Sequence, residues 1–138
     1  MPFMHPFPGS VKAKLISTRD CRAHWIITFT QLNYRISASC TRTGVEWIED
    51  NDLEVSHTIE YHMMEGCPGA EEIKSFILLP EHLRRMPPQV CPCVTWTWYI
   101  IWDLNRRHYI EDVSCDNVPI QQLNDKLINI QSELYGSV

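Results

Sequence analysis

Six cysteines and six histidines are the residues of this chain whose types suit metal binding or nucleophilic chemistry. Two of the cysteines form the short motif Cys91-x-Cys93, with Pro92 between them. A zinc site built on this motif would draw its other ligands from the set Cys67, Cys115, His62 and His108. Structural zinc usually takes four ligands, supplied in pairs by tight turns. Because the sequence has no second closely spaced pair, we expect no metal and no other cofactor.

His57 and His62 lie five residues apart in a segment where apolar and polar residues alternate. In a strand, an odd offset places two side chains on opposite faces of the sheet, so these two histidines should not chelate one ion. His57 shares the apolar face, and we expect it to be a hydrogen-bonded core residue. His62 shares the polar face with Glu60, where its protonation would change the local charge as the pH falls.

Short catalytic signatures are missing from the sequence. It has no GxSxG, no phosphate-binding GxxxxGK[ST], no GxGxxG and no HExxH. A Cys–His pair assembled from distant parts of the chain stays open as an alternative. It would make the protein a small enzyme or ligand-binding domain, with a pocket between sheet and helices lined by Cys93, His108 or His57. A zinc-stabilised adaptor is a third alternative.

Negative charge is the feature that points most directly to a function. The chain has 12 Lys and Arg against 17 Asp and Glu, a net charge of −5, and nine of the acids but no Lys or Arg lie between Thr43 and Ile73. Clustered carboxylates repel one another, and a cationic partner relieves this repulsion and is steered toward it. We therefore predict a partner-binding surface formed by Glu46, Glu49, Asp50, Asp52, Glu54, Glu60, His62 and Glu65.

The same charge pattern has an alternative interpretation, an ordinary solvated face. Lys12, Lys14, Arg35 and Arg42 lie on neighbouring predicted strands and would neutralise part of the acidic surface by cross-strand pairing. The acidic balance also argues against nucleic acid as a partner, because affinity for phosphate backbones comes mainly from clustered cations.

The elements that position these residues are those of one α+β domain covering residues 1–138, with residues 1–10 as an irregular N-terminal segment. Period-two alternation and short polar turns predict an antiparallel meander of about five strands in the first half of the chain. The predicted strands are Val11 to Thr18, Ala23 to Leu32, Tyr34 to Thr41, one beginning over Val45 to Ile48, and one from Leu53 to Met63.

The second half of the chain is predicted to supply the helices and one more strand pair. A shorter central helix is predicted over Ala70 to Leu79, with a further helical turn from Glu81 to Met86. Aromatic and β-branched residues predict a C-terminal hairpin of Val94 to Leu104 and Arg107 to Ser114, turning at Asn105-Arg106. Its basic tip, Arg106-Arg107-His108, is expected to be a solvated turn.

Trp96, Trp98 and Trp102 share one face of this predicted hairpin, and we expect that face to pack under the C-terminal helix. A stacking platform for bases or a protein-binding surface is the alternative. The C-terminal amphipathic helix is predicted to be capped by Asp116 or Asn117 and to stop at Gly136. Its apolar stripe consists of Ile120, Leu123, Leu127, Ile130 and Leu134.

The N-terminal residues have neither the basic region nor the apolar region of a signal peptide, and no apolar run is long enough to span a bilayer. We therefore expect a cytoplasmic protein with reduced cysteines and without a membrane partner.

A small acidic α+β chain with a concentrated anionic segment and no catalytic motif resembles the immunity proteins of bacterial contact-dependent inhibition and related polymorphic-toxin systems. The resemblance implies a non-enzymatic protein that binds one cognate toxin domain, often a nuclease with a basic cleft, and blocks it. In that case Glu46, Glu49, Asp50, Asp52, Glu54 and Glu60 would stand in for phosphates at the cleft.

Overall fold

A computed structural model describes residues 9–17, 23–31, 34–41, 44–48, 54–64, 66–67, 69–79, 82 and 92–135. In these residues five strands precede three helices, which confirms the predicted α+β class. The strands are β1 (Ser10–Ser17), β2 (Ala23–Gln31), β3 (Tyr34–Thr41), β4 (Gly44–Ile48) and β5 (Val55–His62). The helices are α1 (Ala70–Ile77), α2 (Pro92–Arg106) and α3 (Leu123–Tyr135), with a 3-10 turn at Ile120–Gln122.

The strands form one antiparallel sheet in the order β4-β3-β2-β1-β5. β1 to β4 are a meander, as predicted, but β5 returns to pair with β1 at the opposite edge from β4. The expectation that β5 continues the meander is therefore wrong. The apolar side chains explain the observed pairing, because Ala13 on β1 lies between Ile27 on β2 and Ile59 on β5. The short Ala13 side chain leaves room for its two branched neighbours on the buried face.

The core lies on one face of this sheet. Leu15 on β1 and Trp25 and Ile27 on β2 are fully buried there. Trp96 and Ile100 of α2 and Leu127 of α3 belong to the same cluster. The predicted packing of the sheet with the C-terminal helix is thus confirmed. Full burial of a Leu or Ile side chain contributes about 1.5–3 kcal/mol, so this layer dominates the stability.

The predicted C-terminal hairpin is wrong, because Pro92–Arg106 is the continuous helix α2. Its fully buried residues repeat at three- and four-residue intervals, which is the period of a helix and not of a strand. They are Cys93, Val94, Trp96, Thr97, Ile100, Ile101, Asp103 and Leu104. Fifteen residues also exceed the usual length of a strand, and Pro92 suits the first helical position.

The residues after α2 form an irregular segment and not the second hairpin strand. The chain reverses at His108, whose φ of 64° lies in the left-handed region. Ile110 then forms an isolated bridge with Met63 just beyond β5. Asp116 and Asn117 belong to a turn before the final helix and do not cap it. The 3-10 turn begins after Pro119 without a side-chain cap, and Gly136 lies outside the described residues.

Candidate functional site at the β5 edge

The predicted acidic surface is divided by the strand order. Glu46 lies on β4, whereas Glu60 and His62 lie on β5, at the other edge of the sheet. Four inter-strand spacings separate the two strands, roughly 19 Å across the sheet. Glu54 is exposed immediately before β5. The other predicted members, Glu49, Asp50, Asp52 and Glu65, lie outside the described residues. The expected pairing of the two acidic strands is therefore wrong.

The pairing register of the strands also shows whether basic residues lie directly across from these acidic residues. Lys12 on β1 is the cross-strand partner of Glu60, so one base does lie beside the β5 carboxylates. Glu46 faces Ser39 across β3 and β4. The solvated-face alternative is thus supported at Glu60.

The segment after α2 brings further polar residues to the outer edge of β5. The backbone N–H of Glu111 donates to the carbonyl of His62 (3.0 Å), and that of Cys115 donates to the carbonyl of Glu60 (2.8 Å). These two bonds place residues from distant parts of the chain side by side. We call Glu60, His62, Glu111 and Cys115 the β5-edge cluster. Its sequence separation explains why only Glu60 and His62 were predicted for the partner-binding surface, while Cys115 was named only as a candidate zinc ligand.

Distances within the β5-edge cluster are short. The Sγ atom of Cys115 lies 3.4 Å from Nε2 of His62, and the other ring nitrogen, Nδ1, lies 3.5 Å from Oε1 of Glu111. Ligand atoms of Glu60, His62 and Cys115 all lie within 4.8 Å of one another. His62 and Glu111 are each more than half exposed, so the cluster is open to solvent.

A thiol, an imidazole and a carboxylate in this order have the geometry of a nucleophile, a base and an orienting group. The electrostatics oppose that chemistry. Partial desolvation and the charges of Glu60, Glu111 and Asp116 together raise the pKa of the Cys115 thiol. Nucleophilic cysteines have the opposite surroundings, which stabilise the thiolate. The local potential at Cys115 is negative and suits a cation or a cationic group.

The cysteines and histidines proposed for a pocket do not assemble there. Cys93 is a buried core residue whose Sγ accepts the backbone N–H of Trp25 (3.5 Å). His57 lies opposite Leu15 on the core face of β5, where its Nε2 atom is buried without a hydrogen-bond partner among the described residues. His108 is exposed at the end of α2. Cys91 lies outside the described residues.

His24 and Ser39 form a Ser–His contact on the other face of the sheet, through Nε2 and Oγ. The Ser39 hydroxyl donates to the carbonyl of Trp25 (3.1 Å), so it accepts from the Nε2–H of His24. A histidine that donates to the serine is not acting as its base. Burial lowers the pKa of His24 against the opposing charge of Glu46, and Ser39 is fully buried. The contact is structural.

A buried ion pair is the second polar centre of the molecule, and the sequence did not predict it. His82 donates through Nε2 to Oδ2 of Asp103 (3.0 Å), and both side chains are almost completely buried. Arg106 donates through Nε (2.9 Å) and Nη2 (2.5 Å) to Oδ1 of Asp103, and Arg107 forms an ion pair at 3.4 Å. The chain turns at Arg107 and His108, and Arg106 and His108 are exposed, as predicted for this basic tip. The sequence did not predict that both arginines also bind Asp103.

Asp103 is ionised in this setting. Burial opposes ionisation, but hydrogen bonds from His82 and Arg106 and the charge of Arg107 outweigh it and lower the pKa of the carboxyl. A lone acid on the apolar stripe of a helix is the signal that would have revealed the pair, once residues 92–106 were recognised as helical.

The tryptophans are divided between core and surface. Trp96 is fully buried, whereas Trp98 and Trp102 are half-buried and stack with ring centroids 6.1 Å apart. The guanidinium of Arg106 lies 5.6 Å from the Trp102 ring. The expected core role holds for Trp96, and the other two form a partly exposed stripe one helical turn apart.

Comparisons of the chain with protein-family models, with curated protein sequences and with solved structures found no match. In the part of the chain that the structure describes, every helix is too short or too polar to cross a membrane.

Proposed function

We propose that this chain is a non-enzymatic, cytoplasmic binding protein that neutralises a cognate bacterial toxin domain with a basic surface, in the manner of an immunity protein. The contact is centred on the carboxylates at the β5 edge. Relative to the surface expected from the sequence, it keeps Glu54, Glu60 and His62 and adds Glu111 and Asp116. It leaves Glu46 at the far edge of the sheet.

One observation carries the proposal. Carboxylates from two distant segments converge at the outer edge of β5, where Glu60, Glu111 and Asp116 all act on Cys115. Folding has brought like charges together, at a cost in stability that a cationic partner would offset. Such a surface also raises the association rate with a basic partner, which suits an inhibitor that must act before its target does.

The β5 edge is well placed for such a contact. Its carboxylates are carried by backbone that is hydrogen-bonded to a central sheet, so they lose little freedom on binding. The Lys12 position beside Glu60 sets the limit of the acidic area on the sheet side. The docking surface therefore extends outward from β5 toward residues 111–116.

The first experiment is genetic. The reading frame immediately upstream of this gene is expressed as a toxin candidate, with and without this chain, and growth is measured. Rescue of growth together with one-to-one copurification supports the proposal. A neighbouring product that is harmless, or whose toxicity this chain leaves unchanged, contradicts it.

The second experiment maps the contact with that toxin. The triple variant Glu60→Lys, Glu111→Lys and Asp116→Lys should bind about 100-fold more weakly, with a reduced dependence on salt. A matched reversal at Glu46 on β4 and at Glu71 and Glu72 on α1, outside the β5-edge cluster, should bind within about twofold of the wild type. A third variant, with Asp50, Asp52 and Glu54 changed to Lys, measures the contribution of the acidic residues that precede β5 in the sequence. Unchanged affinity and salt dependence in both the first and third variants would overturn the proposed surface.

A further inference from the structure

The β5-edge cluster brings three different kinds of metal ligand close together. Glu60 offers a carboxylate oxygen, His62 a ring nitrogen and Cys115 a sulfur, all within 4.8 Å of one another. In a tetrahedral site with Zn–S near 2.3 Å and Zn–N near 2.0–2.1 Å, sulfur and nitrogen lie roughly 3.6 Å apart. The observed Sγ–Nε2 distance of 3.4 Å is close to this value.

Glu111 gives His62 the orientation that a metal ligand needs. Its carboxylate faces Nδ1 of the ring at 3.5 Å. When Nδ1 carries the proton and donates to Glu111, Nε2 keeps its lone pair on the side of Cys115. A carboxylate bonded to the far nitrogen of the ring is the usual support of a metal-binding histidine.

The backbone holds these groups in place without a metal. The N–H groups of Glu111 and Cys115 bond to the carbonyls of His62 and Glu60 at 3.0 and 2.8 Å. The Tyr61 hydroxyl, on the opposite face of β5, donates to the carbonyl of Val118 at 2.8 Å. These three bonds fix the segment around residues 111–118 against β5, so the ligands are already arranged for binding.

We propose that Glu60, His62 and Cys115 bind one divalent ion of the zinc type, with Glu111 as the orienting carboxylate and solvent in the fourth position. Sulfur and imidazole ligands select a transition metal over Mg²⁺ and Ca²⁺, which prefer oxygen alone. Three protein ligands with an open fourth position are characteristic of accessible zinc sites, as opposed to closed structural ones. The site considered from the sequence was built on the Cys91-x-Cys93 motif, with Cys115 and His62 among the candidates to complete it. The present site keeps Cys115 and His62, adds Glu60 and does not use the motif. It does not rest on the proposed toxin inhibition.

Cobalt substitution tests the proposal directly. The full chain is purified without a His tag, treated with a chelator, dialysed and titrated with Co²⁺. We expect one equivalent to bind, with a sulfur-to-cobalt charge-transfer band and the visible bands of tetrahedral cobalt, both displaced by Zn²⁺. Cys115→Ser should remove the charge-transfer band, and His62→Ala should weaken zinc binding at least about 100-fold. Glu111→Gln should weaken it by about 10-fold, as is typical for an orienting residue.

Matched controls come from the same chain. Cys67→Ser and His108→Ala change the same residue types outside the cluster and should leave the cobalt spectrum unchanged. Cys115 and His62 are exposed, so their variants should retain the wild-type circular dichroism spectrum. A charge-transfer band that survives Cys115→Ser, or is lost in Cys91→Ser, overturns the assignment. Binding of less than one equivalent, or displacement of cobalt by millimolar Mg²⁺, also overturns it.

Discussion

Two histidine–carboxylate pairs in this molecule have the same chemistry in opposite surroundings. His82 and Asp103 lie 3.0 Å apart with side-chain exposures of 0% and 1%. His62 and Glu111 lie 3.5 Å apart with exposures of 56% and 53%. The first pair is enclosed by aromatic rings, with Phe76 and Tyr99 centred 4.7 and 5.6 Å from the His82 ring. The second lies in solvent at the edge of the sheet.

The difference in burial suits the first pair to stabilising the fold and the second pair to binding a ligand. Asp103 uses both carboxylate oxygens within the fold, on His82, Arg106 and Arg107. Water is excluded from the His82–Asp103 bond, so this bond is strong and costly to remove, whereas the Arg106 side chain is half exposed. His62 keeps its second nitrogen accessible beside Cys115. A ligand can therefore reach the exposed pair, while the buried pair serves to hold α2 to the residues around His82.

The largest effect expected from this comparison is that of Asp103→Asn. The change keeps the shape of the side chain but removes the charge that three partners share. Breaking a buried ion pair by removing one partner typically costs about 3–5 kcal/mol, and we expect a value near the lower limit because Arg106 is partly exposed. Urea denaturation followed by circular dichroism measures the free energy of unfolding. A loss below about 1 kcal/mol would show that the pair contributes little to the fold.

The Asp103 carboxylate should also make the stability of the protein depend on pH. The pKa of Asp103 is lowered in the folded protein, so as the pH falls the unfolded chain takes up the proton first. The stabilisation is therefore complete above the unfolded pKa, near 3.9, and is lost as the pH falls through the lower folded value. The stability difference between wild type and Asp103→Asn should shrink as the pH is lowered from about 5 toward 2. A difference that stays constant over this range would contradict the assignment.

Local patterns predicted much of this fold. Alternation identified β3 and β5, because a sheet with one buried face shows a period of two in the sequence. Aromatic and β-branched composition identified β2. Helix α2 was misread, since its tryptophans and isoleucines are also typical of strands. The repeat of Cys93, Trp96, Ile100 and Leu104 carried the helical period, but packing against the sheet was needed to decide between the two.

The site was less predictable than the fold, for a physical reason. Pairing of β5 with β1 depends on how side chains at positions 13 and 59 fit together, and no local signal reports this. The same is true of Cys115, which meets His62 across 53 residues of sequence. Charge composition drew attention to Glu60 and His62. Only the topology could separate them from Glu46 and add Glu111.

The smallest effect on stability is expected at the exposed His62–Glu111 pair. Glu111→Gln makes the same carboxylate-to-amide change there as Asp103→Asn makes in the buried pair. Water and salt screen this pair, and exposed ion pairs contribute about 0–1 kcal/mol. With a chelator present, we expect the free energy of unfolding to change by less than about 0.5 kcal/mol and to be insensitive to added salt. A loss above about 1 kcal/mol would mean that the β5 edge stabilises the fold as the His82–Asp103 pair does. If Glu111→Gln leaves the stability unchanged, the charges gathered around Glu111 do not serve the fold. This is what we expect of a surface whose charges serve to bind a ligand.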